Sequence, residues 1–543
     1  MARALLIMPH FWDPVCVPMG ITSLKAYAER EGHHVDLLDF NTVPDVFGAQ
    51  RLYFDEGKRQ FPCWKKWYIE RNGTETLALH QMVYLYARGR RDYRELVAEV
   101  LNMDERPRDG FMDALDVSRF DEIFASLYAR VDAILQKALA DARPDVVGCS
   151  LLSTTWPGTL FILRRAKELL PQVRTMAGGP GPLIGITSKA EEVQTFFDRH
   201  EFLDYFVVGE GERPLVQILE RPDLPRGILD PERGRDLENI KRTSPKMSEL
   251  PVPDFGNLDL NKYLQLSISS SRGCPFECSF CAETVFWKGF RTIDKSTMFQ
   301  RLDAMATRYN RTSFFVCDSL SNHIVTPLTA HIAAAGKPYK LDCYLRADPI
   351  CTDEKRTRAW REGGLFRARM GLESASQRIL DAMVKMTTPE NMAKSLRALA
   401  SQGIMTSTLW IVCYPGETEA EFETTLNFIK ENRSNIYQAD AQVFQYHPEG
   451  LAHSKEIAAE RGSRYRFSSE LNETLAVEPY VVDRDLPPGE RFARLERFVA
   501  TMRELRIPNP YGIYEWVNAE RRWTALGRDS GWNPRRSLMA LNA

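Results

Sequence analysis

A chain of 543 residues is roughly three to four times a typical ~150-residue domain, so several folded units are expected. Its 71 basic against 73 acidic residues give a formal charge of -2, which supplies no broad attraction for nucleic acid, and 44% hydrophobic with 27% charged residues excludes a disordered or fibrous chain. No apolar run reaches the ~18 residues of a membrane span, and the opening run Ala4 to Met8 breaks at Pro9-His10, too short for a secretion signal, so a cytoplasmic chain with reduced thiols is expected.

Ala4 to Met8 reads as a strand, Ile21 to Glu31 as a helix stopped by Gly32, and Val35 to Leu38 as a second strand. The pattern resumes at Asp145-Val-Val-Gly-Cys-Ser150, followed by a helix from Phe161 to Leu170 and strands at Val173 to Ala177 and Asp204 to Gly209. Strands alternating with helices predict an α/β, doubly wound (Rossmann-like) parallel sheet over residues 1–220, interrupted by a helical insertion at about 41–142. Pro222, Pro225, Pro231, Pro245, Pro251 and Pro253 predict a linker over 221–255. Beyond it, strand candidates recur at Leu264–Ser270, Ser313–Cys317, Leu341–Leu345, Arg367–Leu372, Thr408–Tyr414 and Ala441–Tyr446, which predicts a partial (β/α)6 barrel over 256–462. Residues 463–543 carry only helical pattern and the tryptophans Trp516, Trp523 and Trp532, and are expected to form a mainly helical C-terminal domain.

A doubly wound sheet binds ligands at the carboxyl ends of its strands. Here those ends offer Ser150, Ser153 and Thr154 as hydroxyl donors, and Gly178, Gly179 and Gly209-Glu210-Gly211 as places where backbone can approach a ligand closely. The first strand is followed by Pro-His-Phe-Trp-Asp-Pro rather than G-x-G-x-x-G, which argues against a nicotinamide dinucleotide.

The strongest chemical signal is Cys274-Pro-Phe-Glu-Cys278-Ser-Phe-Cys281, directly after the first barrel strand. Three thiolates on one tight loop can hold three irons of a [4Fe–4S] cube and leave the fourth iron open, whereas a structural zinc wants four closed ligands and only Cys317 follows nearby. Asp318 and Arg346 fall at the ends of the second and third barrel strands, where ligands collect; ordinary strand-end ion pairs are the alternative for each.

The C-x3-C-x-aromatic-C loop, with Phe280 in the aromatic slot, resembles that of the radical S-adenosylmethionine (SAM) superfamily. The resemblance implies that the open iron chelates SAM and that one electron from the cluster releases a 5′-deoxyadenosyl radical. Gly371-Leu-Glu373-Ser374 resembles the fourth-strand segment that holds SAM in related enzymes, and Cys413-Tyr414-Pro-Gly416-Glu-Thr418 the fifth-strand turn. In order and position, Pro9, Pro18-Met-Gly20, Gly32-His-His-Val35, Asp145–Ser150, Gly178-Gly-Pro180 and Gly209–Glu212 resemble the cobalamin-binding domain of B12-dependent radical SAM enzymes, most of all the methyltransferases. No Asp-x-His-x-x-Gly motif is present; Asp198-Arg-His200-Glu-Phe-Leu203 is its nearest string and reads as a solvated helix end. Cobalt is therefore expected to lack a histidine from this motif, with Phe11, Trp12, Trp64 and Trp67 as candidates for an apolar lower face or, alternatively, plain core.

The resemblance implies an enzyme with three cofactors, a [4Fe–4S] cluster, SAM and cobalamin. Its reaction would move a methyl group from SAM through methylcobalamin to an unactivated carbon of a small-molecule or peptide natural-product precursor. An external electron donor of the flavodoxin or ferredoxin type is implied, with a monomeric chain. The alternatives are a non-methylating cyclisation or ring contraction, a methylthiotransferase using Cys16, Cys63 and Cys149, and a non-catalytic cluster or corrinoid carrier. At the sixth strand end, Gln445-Tyr-His447-Pro-Glu-Gly450 departs from the common family pattern, so the sequence does not name the substrate. The tail tryptophans are read as anchors of the C-terminal helices to the core, with covering of an apolar substrate as the alternative.

Overall fold

A computed structural model describes residues 1–12, 15–61, 66–102, 110–179, 196–229, 245–281, 283–287, 289–445, 463–475, 481–509 and 513–531. The chain divides into two compact units, Met1–Lys262 with Tyr465–Tyr480, and Tyr263–Arg464 with Val481–Ala543. No helix among the described residues is long and apolar enough to cross a membrane.

The first unit is built on a six-stranded sheet in the order β2-β1-β3-β4-β5-β6, parallel throughout. β1 (Arg3–Met8) and β3 (Val146–Ser150) are buried on both faces, which is why they read as continuous apolar runs rather than as alternation. Helix α1 (Met19–Arg30) leads to β2 (His34–Asp39) on one side of β1, whereas β3, β4 (Arg174–Gly178) and β5 (Tyr205–Val207) extend the sheet on the other. The order therefore reverses between β1 and β3, and their carboxyl ends flank a crevice. Within the stretch read as a linker, Gly227–Leu229 forms β6 and pairs with β5. A three-residue edge strand among prolines has no periodicity to betray it.

Between the second and third strands the described residues form α2 (Pro44–Gln60), α3 (Lys66–Ala87), α4 (Tyr93–Leu101), α5 (Phe111–Ala114) and α6 (Val117–Ala142). On α6, Phe120, Phe124, Leu127, Val131, Leu135 and Leu139 form a buried stripe at helical spacing, and Phe120 and Phe124 pack against the rings of Tyr53 and His80. Ser469–Leu475 joins this unit: Ser468 Oγ donates to Glu99 at 2.7 Å, and Arg199 donates to the Thr474 carbonyl at 3.1 Å.

The second unit holds a six-stranded parallel sheet whose strands lie in chain order: β7 (Leu266–Ile268), β10 (Ser313–Val316), β11 (Lys340–Leu345), β12 (Leu365–Glu373), β13 (Met405–Val412) and β14 (Gln438–Val443). Between the first two, β8 (Ser271–Arg272) and β9 (Arg291–Thr292) pair as a short antiparallel ribbon. One sheet face is apolar, with Ile268, Phe314, Leu341, Ala368 and Met370 fully buried. The other carries Asp342 in a two-bond pair with Arg369 (2.9 and 2.8 Å), and Arg367 donating to Ser407 Oγ at 2.9 Å and to Gln438. Those inward polar groups explain why β13 and β14 begin three residues earlier than their apolar runs suggest. Helices Glu490–Glu504 and Ile513–Ala525 belong to this unit, and Trp523 is fully buried in a cluster with Phe366, Met405 and Tyr437, its Nε1 donating to the Gly403 carbonyl at 3.1 Å. Trp523 is thus an anchor; the side chain of Trp516 and the whole of Trp532 lie outside the described residues.

Candidate functional site

Gly273 introduces the cysteine loop with a φ of +81°, and a Cβ built there would overlap the carbonyl of Gly289 beside the β8–β9 ribbon. Only glycine fits, and it turns the chain from β8 into Cys274. The three thiols are half-buried. Burial pushes the Cys281 thiol up to about 11, with Cys278 and Cys274 acting on it in the same direction, and burial also raises Cys274. Such thiols need a metal to become thiolates near neutral pH. Among the described residues no three Cys, His, Asp or Glu side chains converge as ligands of one ion.

Asp318 follows β10 and is directed at the root of this loop. Its Oδ1 accepts from the backbone N–H groups of Ser270 (2.7 Å) and Ser271 (2.9 Å), and its Oδ2 from Ser270 Oγ. His323 Nε2 meets the same hydroxyl at 3.1 Å. Burial lifts the Asp318 carboxyl to about 6 against the opposing pull of these hydrogen bonds. Asp318 therefore clamps the strand that enters the loop.

Arg346, after β11, is buried; its guanidinium lies 3.8 Å from the ring centroid of Phe276 in the cysteine loop, and Nε donates to Asp348 at 3.0 Å. Nη2 is buried and has no hydrogen-bond partner among the described residues. An orphaned cationic donor beside the thiols fits an anionic cofactor group there. Glu373 ends β12 after a register shift, at a φ of +65°, and its Oε1 accepts from Lys385 at 2.9 Å. A Cβ on Gly371 would overlap that carboxylate, so the glycine of Gly371-Leu-Glu373 makes room for the ion pair. Lys385 Nζ also stands 5.5 Å from the centroid of the Phe280 ring. The aromatic of the cysteine motif and the glutamate of the fourth strand are thus brought together by a lysine that no sequence motif marks.

Ser374 and Tyr414 have other partners. Ser374 is fully buried and its hydroxyl meets Thr425 Oγ1 at 3.3 Å and the Ser376 N–H at 3.2 Å, which fixes the turn after β12. The Tyr414 hydroxyl lies 2.8 Å from Ser279 Oγ, within the cysteine loop, and 3.0 Å from the Ala382 carbonyl.

In the first unit, Ser150, Ser153 and Thr154 lie where β3 ends, at the β1–β3 crevice, and none of their hydroxyls makes a hydrogen bond among the described residues. Thr155 is occupied locally, accepting from the Leu152 N–H at 2.9 Å. Gly178 ends β4, Gly179 follows it, and Gly209, the buried Glu210 and Gly211 connect β5 to the helix Glu212–Glu220. His10 is 1% exposed: its Nε2 bonds Gln81 at 3.1 Å, its ring packs on Tyr128, and burial lowers it to about 4. His200 is also a core residue. The string Asp198–Leu203 does end a helix with Asp198, Arg199 and Glu201 exposed, but His200 is fully buried against Phe196 and Trp156, with Nδ1 bonded to the Phe196 carbonyl at 2.8 Å. Cys149 is buried in β3, where burial raises its thiol far above the ordinary range, so it suits a second cluster poorly. Phe11 is buried and Trp12 half-buried; Trp64 and Cys63 and the side chain of Trp67 lie outside the described residues.

Residues 268–429 match the Radical SAM superfamily. That match spans the cysteine loop and the second sheet as far as the helix that follows β13. Over 320 residues the chain is 24% identical to an anaerobic magnesium-protoporphyrin IX monomethyl ester cyclase of Rubrivivax gelatinosus, covering 55% of this chain and 56% of that one. It is 22% identical over 379 residues to the cobalamin-dependent radical SAM methyltransferase TokK of Streptomyces tokunonensis, covering 64% of this chain and 53% of that one. The chain thus spans little more than half the length of these curated relatives. The fold is that of TsrM, a radical SAM methyltransferase from Kitasatospora setae solved with cobalamin and a [4Fe–4S] cluster, with a TM-score of 0.57 and 13% identity over 100% of this chain and 98% of that one.

Proposed function

We propose that this chain is a cobalamin-dependent radical SAM methyltransferase, in which a doubly wound cobalamin-binding domain precedes a partial (β/α)6 radical SAM barrel. The observation that carries the reading is the pairing, in one chain, of a radical SAM cysteine loop with a doubly wound sheet whose β1–β3 crevice presents three uncommitted hydroxyls. Cys274, Cys278 and Cys281 would hold the cluster. Arg346, through its unpartnered Nη2, would receive the carboxylate of SAM, Glu373 its ammonium or ribose hydroxyls, and Phe280 would pack beside it. Ser150, Ser153 and Thr154 would donate to cobalamin while Gly178, Gly179 and Gly209–Gly211 admit it to the backbone. When bound, the cluster supplies one electron to SAM and the corrinoid carries the methyl group to an unactivated carbon of a small-molecule or peptide precursor. An external flavodoxin- or ferredoxin-type protein would supply the electron, and the chain would act as a monomer in the cytoplasm.

The test needs no knowledge of that precursor. The anaerobically reconstituted chain is incubated with cobalamin, a strong reductant and SAM labelled in its methyl group. Label should pass to the corrinoid with formation of S-adenosylhomocysteine, and 5′-deoxyadenosine should form slowly. 5′-Deoxyadenosine without either of the other two would refute methyl transfer and favour the cyclisation that the magnesium-protoporphyrin relative's name describes. Absence of all three would leave a carrier.

A further inference from the structure

The cysteine loop is latched at one residue, Ser279, which lies between its second and third cysteines. Ser279 is buried; its N–H donates to the Met383 carbonyl at 3.0 Å, and its hydroxyl contacts both the Ala382 carbonyl (3.2 Å) and the Tyr414 hydroxyl (2.8 Å). The Tyr414 hydroxyl also lies 3.0 Å from the Ala382 carbonyl, so two hydroxyl protons serve three contacts: one hydroxyl donates to the other, and that one donates to the carbonyl. The Tyr414 ring is buried with Ile379, Met383 and Phe444, and Phe280 packs against the same cluster.

Tyr414 stands on a turn that the C-terminal helix holds in place. Cys413 adopts a φ of +62°, an unfavourable conformation for a residue with a side chain, and its N–H donates to Glu417 Oε2 at 2.8 Å. The Glu417 N–H returns to the Tyr414 carbonyl at 2.8 Å. Arg494, from helix Glu490–Glu504, donates to the Glu417 carbonyl at 3.0 Å, lies 3.7 Å from its carboxylate, and pairs with Glu490 and Glu419 at 3.2 and 3.3 Å. Arg494 and Glu417 are both buried, so their contacts are screened little by solvent, whereas Glu490 and Glu419 are part exposed and add less.

We infer that Tyr414 is a positioning residue for the iron–sulfur loop: its hydroxyl fixes Ser279, and Arg494 of the C-terminal helix fixes the turn that carries Tyr414. The inference rests on the reading of Cys274, Cys278 and Cys281 as cluster ligands. It takes Tyr414 out of direct contact with SAM and gives the C-terminal helix a task at the cluster.

The test compares the reconstituted full-length chain with Tyr414→Phe, Ser279→Ala, the double variant and Arg494→Gln. Iron content, the electron paramagnetic resonance spectrum of the reduced cluster, the rate of iron loss to a ferrous chelator and the melting temperature of the iron-free chain are measured. Tyr414→Phe keeps the ring and should retain about four irons per chain, yet lose them about tenfold faster, as expected for one buried hydrogen bond, with an altered cluster spectrum. Because the two hydroxyls act as a unit, the double variant should lose iron no faster than the more affected single variant. Arg494→Gln should move the spectrum in the same direction. Wild-type iron release and spectrum in Tyr414→Phe, or additive effects in the double variant, would overturn the latch. If the iron-free Tyr414→Phe chain fails to fold, Ser279→Ala and Arg494→Gln decide the matter by the same two readouts. A wild-type chain that binds no cube refutes the cluster reading itself, an outcome visible before any variant is made.

Discussion

Replacing Glu373 by glutamine separates a cofactor contact from an internal ion pair. Glu373 Oε1 accepts from Lys385 at 2.9 Å, with both side chains about nine-tenths buried. Glutamine keeps the shape but leaves the Lys385 ammonium without a counter-charge, a loss of ~1.5–3 kcal/mol for a charge-assisted bond, seen as a lower melting temperature. If the carboxylate also receives the ammonium or ribose of SAM, affinity should fall by a similar free energy, ~10- to 150-fold. The double variant Glu373→Gln/Lys385→Met removes both charges, so stability should recover toward wild type, as it does when a buried pair is replaced whole. SAM affinity, measured by anaerobic calorimetry, should stay low, and cobalamin content should be unchanged throughout. Recovery of SAM affinity together with stability in the double variant would refute the contact and make Glu373 merely the counter-ion of Lys385.

Cobalamin bound to the chain should show, in the cob(II) state, an electron paramagnetic resonance spectrum without nitrogen superhyperfine splitting, because His10 and His200 are both buried in the core; a nitrogen triplet that disappears in His10→Phe or in His200→Phe would refute this account of the histidines. Asp318, lifted to about 6 in the folded chain, should make folding less favourable as pH rises from its ordinary value near 4 through 6, since the folded state holds the proton more tightly. Relative to Asp318→Asn, the iron-free wild type should therefore gain up to ~3 kcal/mol between pH 7 and pH 4 in urea unfolding; a pH-independent difference would contradict it.

Much of this protein is legible in the sequence because it is local. β1 and β3 are recognised as continuous apolar runs, since a parallel strand covered on both faces by apolar neighbours is itself apolar, whereas the strands of the second sheet are recognised from their apolar face, the other face carrying Asp342, Arg367, Arg369 and Gln438. The helical insertion is recognised from the stripe on α6, and the cysteine loop from the spacing of Cys274, Cys278 and Cys281. Edge strand β6 escapes notice because three residues between prolines carry no period. His200 misleads because its neighbours in sequence are polar, whereas its neighbours in space are Phe196 and Trp156.

The candidate site divides along the same line. Sequence alone determines which residue types can bind iron and where the glycines and hydroxyls of the first sheet fall. Only the tertiary structure decides which of them are available, since a side chain can bind a ligand only with donors or acceptors that the fold leaves unsatisfied. Among the described residues, Ser150, Ser153, Thr154 and Arg346 Nη2 make no side-chain hydrogen bond, whereas Ser374 bonds within the turn after β12, Asp318 bonds the strand entering the cysteine loop, and Tyr414 bonds Ser279. Lys385 and Arg494 enter the site from positions 385 and 494, far in sequence from Cys274, and no local pattern could have marked them because their partners are supplied by other strands and turns.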